Sequence, residues 1–171
     1  MIPPGFGVIS VVSTDRARLA SSVSGVAFTI AAAVACTANV LAPFERGWWL
    51  TAYLFLVGGL AQLLLSWGQD ALASGPREPP PALLWAQWGF WNAGTAMVAV
   101  ADMAQVMAVV DVGSIALLVA LLLYLRGARP AVRGSDRCAS AALEYGYATL
   151  LLLLGSSVLL GTFLAGALPG R

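Results

Sequence analysis

The chain has 171 residues, of which 60% are hydrophobic and only 10% charged, with a net charge of +1 and a mean hydropathy of +0.85. A soluble domain carries about 25% charged residues, so a water-covered globule is excluded and membrane-spanning helices are expected. The near-neutral balance offers nothing to nucleic acid, and the absence of His removes the commonest general base and metal ligand.

The N-terminus does not read as a cleavable signal. Pro3, Pro4 and Gly5 open it, and Asp15, Arg16 and Arg18 interrupt the apolar run that follows. Five apolar segments come next, each near the ~20 residues that cross ~30 Å of hydrocarbon. They are Leu19–Ala42, Trp48–Trp67, Leu83–Ala101, Val106–Leu125 and Ala141–Ala167. The expectation is therefore an all-α integral membrane bundle of five transmembrane helices, one domain over residues 1–171. Pro43–Gly47, Gly68–Ala82, Asp102–Gln105 and Arg126–Ser140 connect them, and the third connector has neither Gly nor Pro to turn it.

Arginine sets the orientation. Five crossings place Arg16, Arg18, Arg77, Arg126, Arg129, Arg133 and Arg137 on one side and only Arg46 and Arg171 on the other. Basic residues concentrate in the cytoplasm, so the N-terminus is expected inside and the C-terminus outside. All nine basic residues are Arg, a composition that fits a GC-rich bacterial genome; the expected location is then a bacterial inner or plasma membrane. Trp48 and Trp49 fall at the outer interface, and Trp67, Trp85, Tyr124 and Tyr145 near the inner one, whereas Trp88 and Trp91 lie deeper.

Ser21, Gly25, Thr29, Ala33 and Thr37 recur every four residues in the first segment, a small-residue stripe that lets helices approach closely. Gly58–Gly59, Gly89 and Gly94 mark close helix approach rather than phosphate cradles. Cys36 and Cys138 form no metal-binding or redox motif.

Polar groups in hydrocarbon are costly and draw attention. Gln62, Gln87 and Glu144 fall toward the cytoplasmic side, Asn39 and Asp111 toward the outer side, and Asn92 near the middle of the third segment. Gln87, Trp91 and Thr95 share one helix face, with Asn92 beside Trp91, a hydrogen-bonding wall suited to a small polar solute. The plainer account is that the amides tie helices together, at ~0.6–2 kcal/mol each. Asp111 has no basic residue at comparable depth, so it either faces a wet cavity or lies at the interface. Arg126, Arg129, Arg133 and Arg137 are expected against anionic lipid headgroups. No catalytic, cofactor or metal constellation stands out.

The patches Gly58–Gln62 (GGLAQ) and Gln87–Trp91 (QWGFW), and the gap between them, resemble in part the acetate uptake transporter, or succinate–acetate permease, family. That resemblance implies a ring of subunits with an anion path in each. The family's Asn-Pro-x-Pro-Leu-Gly-Leu signature is absent, and five segments stand here against six in the family. The functional expectation is a small-solute channel or transporter acting as an oligomer. The alternative is an accessory or structural subunit of a larger membrane complex. The partners are then the lipid bilayer and either copies of the chain or a larger assembly.

Overall fold

The computed structural model describes residues 6–72, 79–132 and 145–156, and among these every regular element is helical, with no strand. Helix α1 spans Phe6–Leu41, and α2 spans Gly47–Tyr53. A π-helical segment, Leu54–Ala61, carries the chain without a break into α3, Gln62–Leu72. Helices α4, Pro81–Met103, and α5, Met107–Val132, follow. A shorter apolar helix, α6, covers Tyr145–Ser156.

Local chemistry sets the ends. Helix α1 begins well before Leu19, since nothing between Gly7 and Arg18 breaks it and its charges lie on exposed or partly exposed positions. It stops before Pro43, whose ring disfavours helical backbone in the preceding residue. Pro80 is extended and Pro81 opens α4, where its missing N–H costs nothing. The turn between α4 and α5 has no Gly; Gln105 takes the left-handed conformation instead, at φ 58°. Arg46, which precedes α2, does the same at φ 64°.

Three stretches are long and apolar enough to cross a membrane: Ser13–Leu41, Gly47–Ala71 and Met107–Gly127. Helix α4 falls outside that group although its 23 residues reach about 35 Å at 1.5 Å per residue. Its polarity points inward: Gln87, Trp91 and Thr95 are buried, while Trp85, Phe90 and Val100 are exposed. The expected fifth segment, Ala141–Ala167, is described only over Tyr145–Ser156.

The surface is inverted relative to a soluble protein. Leu19, Ile30, Val34, Ile115, Leu122 and Leu152 are all more than half exposed, whereas Gln62, Gln87 and Thr95 are at or near zero exposure. This apolar exterior around polar groups is that of a membrane protein.

Helix α1 packs along the α2–π–α3 rod and against α4, and α4 packs along α5. Two glycine pairs permit the close crossings. A Cβ on Gly59 would lie 3.3 Å from the Gly25 carbonyl oxygen, and one on Gly94 2.8 Å from the Gly113 carbonyl oxygen. Gly89, expected from sequence to mark a crossing, has nothing within 4 Å of its Cβ position, so helix approach is not what places it there.

Candidate functional site

The polar side chains that sequence scattered along three segments meet in the bundle interior. Ser24 of α1 is the hub. Its Oγ accepts hydrogen bonds from Gln62 Nε2 of α3 (2.8 Å) and Trp88 Nε1 of α4 (3.1 Å), and its hydroxyl donates to the Ala20 carbonyl (2.8 Å). Three helices are thereby joined at one hydroxyl. The π segment ends at Ala61, directly before Gln62, and such segments recur at functional sites because they re-aim the side chains around them.

Toward the end of the bundle where α3 stops and α4 starts, Gln87 Nε2 donates to the Leu123 carbonyl of α5 (2.9 Å). Ser21, Ser66, Gln69, Gln87 and Tyr124 line a small cavity there, with Arg18 and Asp70 also contributing to its wall. Deeper in, Trp91 packs edge-on against Tyr124, centroids 6.2 Å apart and planes at 89°. Tyr124 is 2% exposed. It belongs to the core rather than to the interfacial group in which its position near the segment end had placed it, because α5 extends beyond it to Val132. Tyr53 is turned toward Thr95, although neither hydroxyl closes a hydrogen bond.

The interior holds a series of buried polar atoms with no protein hydrogen-bond partner. Gln69 Nε2, Ser21 Oγ, Gln62 Oε1, Trp91 Nε1, Thr95 Oγ1 and Tyr53 Oη belong to it. Asn39 Nδ2, Asp102 Oδ2 and Tyr147 Oη are in the same condition elsewhere in the bundle, against the general rule that buried polar groups are paired.

The other sequence candidates sit elsewhere. Asn39 is buried at the opposite end, where its Oδ1 accepts from the Phe44 amide (3.2 Å) and shapes the α1–α2 loop. Beside it, Arg46 Nη1 pairs with Asp102 Oδ1 at 2.6 Å, tying that loop to the end of α4. Asn92 is half-buried and donates to its own helix, at the Trp88 carbonyl (2.7 Å). Asp111 is exposed on the outer side of α5, away from the interior cluster, and Arg126 is exposed too. The side chain of Arg129 and residues Arg133 and Arg137 lie outside the described residues, as does Glu144.

Sequence reading missed Ser24, Ser66 and Gln69. The signal for two of them was present: Gln62, Ser66 and Gln69 follow at i, i+4 and i+7, one face of a helix. Among the described residues no group of three or more metal-ligating side chains converges.

Fold and site together define a helical membrane protein whose spanning helices enclose a partly unsatisfied polar core. No family model matches the chain, and no curated protein and no solved structure matches it.

Proposed function

We propose that this protein is a small-solute channel or transporter, a five-span bundle acting as an oligomer in a bacterial plasma membrane, N-terminus inside. The carrying observation is the series of buried, unpartnered polar atoms from Gln69 through Gln62 and Thr95 to Tyr53. Amides and hydroxyls that serve only as glue between helices pair with each other or with backbone. Groups that exchange hydrogen bonds with a passing solute are left without a fixed protein partner. Helix α4 is read as a span because its outward side chains are apolar and its low hydropathy comes from the inward ones. The arginine asymmetry supports the orientation.

The site residues under this reading are Gln62, Gln87, Trp91 and Thr95, with Asn92 at the margin. A second reading, a subunit of a larger membrane assembly, draws on the exposed, mostly apolar face that Ile30, Ala33, Val34, Thr37, Ala38 and Leu41 present on α1. Flux of radiolabelled urea, glycerol and acetate into proteoliposomes tests the first reading. Uptake above protein-free vesicles, reduced in Thr95→Val, is expected for at least one probe. Background flux for all three removes it, and a partner protein recovered with the chain from native membrane then favours the second.

A further inference from the structure

The cavity at the α3–α4 end has a volume of about 10 Å³, close to what a single water occupies. Four helices contribute to its wall: Ser21 from α1, Ser66 and Gln69 from α3, Gln87 from α4 and Tyr124 from α5. Ser21 and Gln69 are 6% and 8% exposed; the Ser21 hydroxyl is turned toward Tyr124 without closing a hydrogen bond, and Gln69 Nε2 has no protein hydrogen-bond partner. The amide nitrogens of Gln69 and Gln87 converge beside Gly127, where a Cβ would lie 2.6 and 3.0 Å from them.

Two charges of opposite sign stand at the mouth. Arg18 Nε lies 3.1 Å from Asp70 Oδ1, joining α1 to α3, and both side chains are partly exposed (27% and 45%). Both residues also line the cavity. The pair thus lies between the polar cavity and the molecular surface.

We propose that this cavity is a binding site for one water molecule, the first of a file entering the polar core, and that the Arg18–Asp70 pair is the gate through which it exchanges. The inference rests on the transport reading for its purpose but not for its test. The chemistry favours water because the lining offers neutral amides and hydroxyls, and the charges at the mouth cancel. A water needs two to four polar partners, and Ser21, Gln69, Gln87 and Tyr124 supply that number. Breaking the ion pair leaves these partners facing an open mouth.

The test uses the full chain in proteoliposomes with Cys36→Ser and Cys138→Ser, and Ser66→Cys as reporter inside the cavity. Mercuric ion, supplied from the side to which Arg18 is exposed, is the probe, and the modification rate is read by mass spectrometry. Arg18→Asp and Asp70→Arg are each expected to raise the rate about two- to fivefold, the range that a partly exposed ion pair contributes. The double charge swap is expected to return it to the parent value. Gly127→Ala, which puts a methyl group between the two amides, is expected to slow the reporter. A second reporter, Thr51→Cys at the opposite end of the bundle, is expected not to respond to any of these changes.

Equal rates in both single reversals and the parent overturn the gate, as does acceleration at both reporters alike. An unchanged rate in Gly127→Ala overturns the site. Where a reversal does not fold, Arg18→Gln and Asp70→Asn give the same comparison. Solute flux at background with the reporter pattern intact removes the transport reading and leaves the gate standing. Normal flux with a flat reporter does the reverse.

Discussion

Replacing Gln62 by Met separates helix glue from solute path in one protein. Gln62 is fully buried, donates one hydrogen bond to Ser24 Oγ at 2.8 Å, and holds a carbonyl oxygen without a partner. Met has nearly the same length and flexes to fill the space. The substitution forfeits one interhelical hydrogen bond, about 0.6–1.7 kcal/mol, and removes one unsatisfied buried acceptor, which costs about 1–3 kcal/mol to keep. Ser24 is not orphaned, because Trp88 still donates to it and it still donates to Ala20. The two terms nearly cancel or favour Met. At roughly 2–4 °C per kcal/mol for a chain of this size, the apparent Tm in detergent stays within a few degrees of the parent or rises. Flux should fall by about tenfold if one hydrogen bond of about 1.4 kcal/mol to the passing solute is lost. A Tm lowered by more than about 6 °C with unchanged flux would refute the reasoning and return Gln62 to a purely structural role.

Two further substitutions test the packing. In Gly94→Ala the new methyl meets the Gly113 carbonyl oxygen at 2.8 Å and Leu117 Cγ at 2.9 Å, an overpacking that costs about 1–3 kcal/mol. Gly89→Ala, five residues away in the same helix, meets nothing within 4 Å and should leave thermal unfolding unchanged or raise it by up to about 1 kcal/mol. Equal Tm values for the two would contradict the α4–α5 crossing. At Gln105, where φ is 58°, Val is expected to destabilise by about 1–2 kcal/mol and Gly to be neutral or better; the reverse order in the same assay would contradict the left-handed turn.

Burial pattern was more legible than geometry. Gln87, Trp91 and Thr95 recur every four residues, so their common face follows from helical period alone, and all three are indeed buried. The start of α1 was not legible, because Asp15, Arg16 and Arg18 suggest a loop at the membrane edge. A helix tolerates such charges where they are exposed, or where one of them, Arg18, finds Asp70. The π segment had no local signature either, since Leu54–Ala61 reads as any apolar helix; the Gly25 and Gly59 contact that accompanies it is long-range. Asn39 looked like a member of a polar layer, but a side chain one turn before a loop is as well placed to accept from that loop's backbone, and it does so. Ser24 was hidden for a different reason: a hub hydroxyl is defined by partners 38 and 64 residues away, which no local pattern encodes.

Asp111 decides where a path could run. It is exposed, and Met107 and Ile115, one turn to either side on the same face, are 47% and 59% exposed. It stands four residues into α5, about 6 Å from that end at 1.5 Å per residue. A carboxylate this close to the helix end can reach the interface, and it costs far less there than at the bilayer centre. If solute passes through the interior of each subunit, Asp111→Leu removes only that small cost, so apparent Tm should hold or rise slightly and flux should match the parent. If solute passes between subunits, the outer face of α5 would line the route, and the same substitution would place a bulky apolar group on it. A large loss of flux in Asp111→Leu, with Gln62→Met unaffected, would therefore move the path from the Ser24–Gln62–Thr95 interior to the surface between copies of the chain.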